Sequence, residues 1–192
     1  MIRTLRDLLL QRAARLQERP ALSAPGWGTL GYARFRNRIE GIAFGLLAEE
    51  GSPDAWHSAT GTAWDWASEL AAAVSGLCWG PDGSPVPADV LGGAGFHAEA
   101  GRERYHSRER VLSEETPFQR GMSHGELLRR LTRLNEQLGW DHETELPLPL
   151  ARLGDPPQRA ALWSLLYAGG HAVLLDRVGA DWDPAPFGTF WE

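Results

Sequence analysis

The sequence predicts an α/β fold with a mostly parallel sheet flanked by helices. Helix and strand patterns alternate over residues 121–177, and such alternation is typical of parallel sheets. A Ser-x-x-Glu capping box at Ser123 and Glu126 predicts the start of one helix. Pro156 and Pro157 suit the first turn of a second helix, and a short apolar strand follows it.

The rest of the chain continues this pattern. Thr4 can cap a first helix, with Asp7 three residues later. A Pro-Gly turn predicts a hairpin over residues 21–30. The further predicted elements are a helix at 32–49, a strand at 56–60, a helix at 63–74, a strand edge at 77–79, a loop at 80–101, a strand at 102–112 and a tail at 181–192.

The order of elements suggests an internal repeat. Helix, strand, glycine, helix, glycine and strand follow one another over residues 32–79 and again over 125–175. We therefore expect two similar α-β-α-β halves. A chain of 192 residues is long enough to bury a hydrophobic core within one domain. The prediction is therefore a single domain over residues 1–192.

Composition excludes several classes of function. A net charge of −6 without a basic block makes nucleic acid an unfavourable partner. The single cysteine, Cys78, excludes an internal disulfide, and the six histidines show no i, i+4 pair. We therefore expect no metal site and no cofactor. No signal peptide or membrane span is visible, which predicts a cytoplasmic protein without a membrane partner.

Six short motifs follow one another in a recognisable order. They are Arg19–Leu22, Thr29–Tyr32, Met122–His124, Leu148–Leu150, Gly169–Gly170 and Val173–Leu175. In this order they resemble the adenylate-forming synthetases, the superfamily of acyl-CoA synthetases, luciferases and peptide-synthetase adenylation domains. The resemblance implies the N-terminal region of such an enzyme, whose large domain contains two topologically similar subdomains.

The departures from that family bear on activity. The resemblance implies a Gly-rich phosphate loop with a lysine, but residues 112–120 lack the glycines and contain Glu114 and Glu115. All 19 cationic side chains are arginine, and the sequence stops before the family's adenine-binding motif and C-terminal catalytic domain. We therefore expect a truncated, degenerate and non-catalytic homologue that acts as a binding or assembly module. The alternative is a small enzyme, or an acyl- or nucleotide-binding protein, with a pocket at the carboxyl ends of the strands.

Five residues are candidates for ligand binding, and none is predicted to be catalytic. Thr60, Gly61 and Thr62 lie between a strand and a helix, where backbone amides can hold an anion. A capped helix start explains the same residues. His124, in the first turn of its helix, is most simply a solvated residue. Arg152 takes the place of the family's histidine after Leu-Pro-Leu. A Ser-His-Asp arrangement needs three-dimensional proximity, which the sequence does not supply.

Aromatic residues at the end of the chain suggest a partner. The chain has nine tryptophans, and four large aromatic residues lie close together in the tail: Trp182, Phe187, Phe190 and Trp191. Such residues are enriched at interfaces, so a homodimer is predicted. The alternative is a tail that covers the chain's own sheet. A small-molecule ligand stays open.

Overall fold

The computed structural model describes residues 2–49, 53–177 and 182–192. The chain divides into two compact units, which are treated separately below. The first unit comprises Met1–Leu9, Arg36–Ser58 and Ala67–Leu128, and the second comprises Leu10–Phe35, Ala59–Trp66 and Arg129–Glu192. A single domain over residues 1–192 stays a prediction.

Helices and strands alternate along most of the chain. The helices are α1 (Leu5–Leu16), α2 (Tyr32–Ala48), α3 (Ala63–Val74), α4 (Ala88–Leu91), α5 (Glu99–Arg108), α6 (His124–Leu138) and α7 (Pro156–Ala168). The strands are β1 (Pro20–Ala24), β2 (Gly28–Gly31), β3 (Trp56–His57), β4 (Ser84–Pro85), β5 (Pro117–Gln119), β6 (Met122–Ser123), β7 (Glu145–Pro149) and β8 (His171–Leu175). Short 3-10 helices cover Ala94–His97, Leu150–Arg152 and Ala185–Phe187.

The second unit is built on a four-stranded mixed sheet with the order β2-β1-β8-β7. The β1–β2 hairpin is antiparallel, whereas β8 pairs in parallel with both β1 and β7. Helix α7 connects β7 to β8, as a parallel pair requires. It ends at Gly169, whose φ of +89° is a left-handed conformation that glycine adopts without strain. The predicted α/β class with a sheet flanked by helices is confirmed.

One face of this sheet carries the core of the second unit. Leu22 of β1 and Ala172 and Leu174 of β8 are buried, and so is Leu148 of β7. Trp163 of α7 is fully buried and meets Trp66 edge-on, with the ring centroids 5.1 Å apart. Because successive side chains of a strand point to opposite faces, the residues next to these buried ones lie on the other face of the sheet.

The first unit has two small strand pairs beside helical segments. Strands β3 and β4 are parallel, and Trp79 forms a single parallel bridge to Trp56. Strands β5 and β6 form a hairpin. The predicted cap of α1 is confirmed, because the Thr4 amide donates to the Asp7 carboxylate at 3.0 Å and the Asp7 amide donates to Thr4 Oγ1 at 3.1 Å. The Glu126 amide donates to Ser123 Oγ at 3.3 Å, as the predicted capping box requires at α6.

Four local predictions are wrong. Residues 102–112 were expected to form a strand, but Glu99–Arg108 is helix α5, because Arg and Glu are good helix formers and Gly101 allows close packing. The expected loop at 80–101 contains β4, α4 and a 3-10 helix. The expected strand edge at 77–79 is reduced to the single bridge at Trp79, and the strand expected at 56–60 ends at His57.

The order of elements in the proposed repeat is present in both halves. Helix α2, strand β3 and helix α3 precede the bridge residue Trp79, and helix α6, strand β7 and helix α7 precede strand β8. Superposition of residues 32–79 on 125–175 stays a prediction. None of the described helices is long and apolar enough to cross a membrane.

Candidate functional site

The loop before helix α3 is closed by a side chain of the protein itself. The Thr60 amide donates to one oxygen of the Asp65 carboxylate at 2.7 Å, and the Gly61 amide donates to the other at 2.8 Å. Thr60 Oγ1 also donates to Asp65 at 2.8 Å. Asp65 is only 8% exposed. The two amides that are candidates for holding an anion thus already hold the carboxylate of Asp65.

The third residue of this loop acts as a helix cap. Thr62 Oγ1 accepts a hydrogen bond from the Trp64 amide at 3.3 Å and lies 2.6 Å from Thr60 Oγ1. This geometry matches the alternative of a capped helix start. Anion binding at Thr60, Gly61 and Thr62 stays a prediction, and an external anion would have to displace Asp65.

Arg152 lies just beyond the carboxyl end of β7. Its side chain is 70% exposed and its Nε lies 3.9 Å from the Asp155 carboxylate. The side-chain amide of the buried Gln158 donates to the carbonyl oxygen of Pro149, the last residue of β7. Within the described residues, no hydrogen bond or ion pair joins Arg152 to the loop at 60–62, so these candidates are not brought together by direct contact.

His124 lies in the core of the first unit, so its interpretation as a solvated residue is wrong. Its side chain is fully buried, and its Nδ1 accepts a hydrogen bond from the Leu5 amide at 3.4 Å. Nε2 has no partner among the described residues. Burial lowers the pKa of His124 to about 4, although the nearby Asp7 carboxylate acts in the opposite direction. The imidazole is therefore neutral at pH 7, and a ligand role for it stays a prediction.

The segment that replaces the expected phosphate loop forms a turn before the β5–β6 hairpin. The Ser113 amide donates to Thr116 Oγ1 at 2.9 Å, and the Thr116 amide donates to the Ser113 carbonyl at 3.2 Å. The Glu115 amide donates to Ser113 Oγ at 3.3 Å. That hydroxyl also lowers the pKa of the Glu115 carboxyl group. Three backbone amides are thus already engaged, beside an exposed negative charge.

A row of polar side chains that the sequence did not reveal crosses the sheet of the second unit. Thr29 Oγ1 lies 2.7 Å from Ser23 Oγ, and Ser23 Oγ lies 2.8 Å from His171 Nε2. His171 Nδ1 lies 2.8 Å from Glu145 Oε2. The four residues belong to β2, β1, β8 and β7, which is the order of the strands. Each supplies the one polar side chain of its strand, but only the strand order shows that the four side chains meet.

Metal ligands do not cluster in the part of the chain that the structure describes. No group of three or more His, Cys, Asp or Glu residues there could hold a metal ion.

The chain shares its α/β fold with the N-terminal subdomains of acyl-CoA synthetases and related adenylate-forming enzymes. The predicted resemblance is thus confirmed at the level of the fold.

Particular solved structures share this fold. A protein described as a long-chain-fatty-acid CoA ligase from Rhodopseudomonas palustris superposes with a TM-score of 0.60 at 20% identity, over 92% of this chain and 58% of that one. The N-terminal domain of FACL13 from Mycobacterium tuberculosis gives 0.59 at 12% identity, over 93% and 58%. The N-terminal subdomain of NpsA from Klebsiella oxytoca gives 0.60 at 17% identity, over 94% and 55%.

The chain therefore spans little more than half the length of these three structures. No protein-family model matches it, and no curated protein matches it. At these identities the likeness establishes the fold, and activity has to be argued from the site.

Proposed function

We propose that the chain is a binding or assembly module on the N-terminal subdomain fold of adenylate-forming enzymes, and that it does not activate carboxylic acids with ATP. One observation carries this proposal. A phosphate loop holds its ligand with free backbone amides and a cation. The amides of Ser113, Glu115 and Thr116 instead donate within their own turn, and the chain contains no lysine.

Electrostatics at this turn support the same conclusion. Glu115 is exposed and, like an ordinary glutamate, ionised at neutral pH, and the Ser113 hydroxyl lowers the pKa of its carboxyl group further. Glu114, the preceding residue, adds a second acidic side chain to the turn. A triphosphate approaching this turn would meet like charge. The repulsion acts over about 8–10 Å, the distance within which salt does not screen it at physiological ionic strength.

The alternative of a ligand pocket at the carboxyl ends of the strands has weaker support. The Gln158 side-chain amide donates to the carbonyl oxygen at the end of β7, and Arg152 forms an ion pair with Asp155. These contacts satisfy polar groups that a ligand would otherwise use. A cytoplasmic location belongs to our proposal as well, and fractionation of cells that express the protein tests it.

ATP–pyrophosphate exchange tests the proposed loss of adenylation. We expect no acid-dependent exchange with a panel of fatty and aryl acids, because the amides of Ser113, Glu115 and Thr116 already donate within their own turn. A full-length adenylate-forming ligase serves as the positive control for the panel. Robust exchange that depends on one of the acids would overturn the proposal.

A further inference from the structure

Three side chains on neighbouring strands of the second unit are joined in the order serine, imidazole and carboxylate. Ser23 Oγ lies 2.8 Å from His171 Nε2, and His171 Nδ1 lies 2.8 Å from the Glu145 carboxylate. A serine at one ring nitrogen and a carboxylate at the other is the arrangement in which imidazole serves as a general base for a serine nucleophile.

The carboxylate decides which ring nitrogen carries the hydrogen. A carboxylate only accepts, so Nδ1 of His171 donates to Glu145, and in the neutral imidazole Nε2 is left as the acceptor. Ser23 then donates its hydroxyl hydrogen to Nε2. Thr29 Oγ1, at 2.7 Å, donates to Ser23 Oγ. The hydrogen bonds of the row thus run in the direction that removes the serine proton.

The row lies on the face of the sheet opposite the buried side chains. Leu22 and Ala172 are buried, whereas the neighbouring Ser23 is only half-buried. The His171 side chain is 15% exposed and that of Glu145 is 64% exposed. The imidazole is therefore largely shielded from water, while a small reagent can reach the hydroxyl beside it.

We propose that Ser23 is a nucleophile that accepts an acyl group from small esters and thioesters with stable leaving groups. The class of substrate follows from what the sheet provides. Strands β1 and β8 lie inside the sheet, so their backbone amides pair with the neighbouring strands. These amides are therefore not available to form an oxyanion hole. Without that stabilisation the leaving group must be a good one, such as a phenolate or a thiolate. This activity goes beyond the proposed function and does not depend on it.

The reaction is balanced by one proton that moves through the imidazole. Ser23 Oγ forms a bond to the acyl carbon while its proton passes to His171 Nε2. The bond between the acyl carbon and the leaving group breaks, and the imidazolium gives that proton to the leaving group. In the second step water attacks the Ser23 ester and gives a proton to Nε2. Nε2 returns it to Ser23 Oγ as the carboxylic acid departs.

Acetylation by p-nitrophenyl acetate, followed by intact mass and peptide mapping, tests the site in the full-length chain. The chain has no lysine, so amine side chains do not compete. Burial, and to a lesser extent Asp54, raises the pKa of the Cys78 thiol and disfavours that competitor. We expect one acetyl group on Ser23 and none at that position in Ser23→Ala.

The role of the imidazole has its own test. His171→Ala should slow the labelling of Ser23 by about 100-fold, the lower end of general-base effects. Added imidazole should restore part of that rate, which a merely structural role of His171 would not allow. Equal rates in the wild type and His171→Ala would overturn the proposal, and so would acetylation of another residue instead of Ser23.

Glu145 acts through His171 and is a positioning residue. Glu145→Gln should slow labelling on the order of tenfold, less than in buried triads because the carboxylate is exposed. Glu145→Asp should retain more of the rate, since it keeps a carboxylate. An equal loss in both variants would contradict this role.

A further variant separates the relay from general effects on folding. Ser107→Ala removes a hydroxyl that donates to the Arg104 carbonyl at 2.9 Å, and it should leave labelling of Ser23 unchanged. Loss of labelling in Ser107→Ala, with an unchanged melting temperature, would show that the reaction depends on groups outside the row and would refute the relay.

Discussion

Single residues in this protein show how a polar group changes its role with its surroundings. His124 at a helix start looks solvated from the sequence, but it is buried and accepts the Leu5 amide. Asp65, three residues after Thr62, supplies the anion for the loop that precedes it. In both cases the deciding contact comes from the folded chain, so the residue type alone could not predict it.

The burial of His124 predicts a loss of stability in mild acid. Its pKa is lowered from 6.5 to about 4, so the unfolded state binds a proton more readily than the folded state between these values. Stability from this residue is complete above about pH 6.5 and is lost as the pH falls towards 4, by roughly 3 kcal/mol in total. Urea unfolding at several pH values in this window measures the loss.

Two variants provide the comparison for that experiment. His124→Asn keeps an oxygen that can accept the Leu5 amide but does not titrate, so it should lose less stability over the same pH range. His142→Asn replaces an exposed histidine and should behave like the wild type. An identical pH dependence in the wild type and His124→Asn would contradict the prediction.

At the scale of elements, helix α5 shows where sequence patterns fail. Of the residues in α5, only Gly101 and Tyr105 are buried. The sequence of this helix therefore shows no apolar stripe at helical spacing. Tyr105 is packed edge-on against Phe44, with ring centroids 5.2 Å apart. A helix that packs through one glycine and one aromatic ring gives no periodic signal, whereas α1 and α6, with caps and regular leucines, were predicted correctly.

Gly101→Ala tests this close packing. A Cβ atom at position 101 would lie 1.8 Å from the Phe44 carbonyl oxygen, which belongs to a helix backbone and cannot move aside easily. Alanine gains about 1 kcal/mol of helix propensity, but overpacking costs about 1–3 kcal/mol, and at this distance we expect the cost to exceed the gain. Thermal or chemical unfolding should show a net loss of up to about 2 kcal/mol.

The matched control for this substitution is Gly80→Ala. A Cβ atom there meets no atom within 4 Å, so the change should stay within about 0.5 kcal/mol. Gly101→Ala with a stability equal to that of Gly80→Ala would show that α5 does not pack through its glycine.

For the whole molecule, the sequence predicted local elements better than contacts between residues that are far apart in the chain. The hairpin, the sheet class and five of the helices follow from caps, turns and periodicity. The row from Thr29 to Glu145 could not be predicted, because Ser23 and His171 are 148 residues apart and meet only through the strand order. The tail was also ambiguous, since aromatic residues suit both a core and an interface.

The described part of the tail, residues 182–192, packs within the second unit. Phe187 is 2% exposed and Phe190 is 9% exposed, and Trp191 Nε1 donates to the Pro156 carbonyl at 2.6 Å. Trp182 stacks on Phe187 with the ring centroids 5.5 Å apart. The homodimer stays a prediction, and an interface at the tail would have to use the half-buried Trp182 and Trp191.

Sedimentation at micromolar concentration tests the predicted dimer. We expect the full-length protein to sediment as a dimer and the variant with Trp182→Ser and Trp191→Ser to dissociate more readily, because these side chains supply apolar area at the tail. Phe96→Ser, which removes an exposed aromatic residue of the first unit, serves as the control. A monomeric wild-type protein would refute the dimer.

The melting temperature in the presence of ATP and magnesium most directly tests the claim that this fold has lost its phosphate site. A ligand at 100 times its Kd stabilises the native state by about 2.7 kcal/mol, which would raise the melting temperature of a chain of this size by roughly 5–10 °C. We predict no rise at millimolar ATP and magnesium, since the turn at 113–116 uses its own amides and carries Glu115. A reproducible rise of several degrees would contradict this account and place a nucleotide site on the chain.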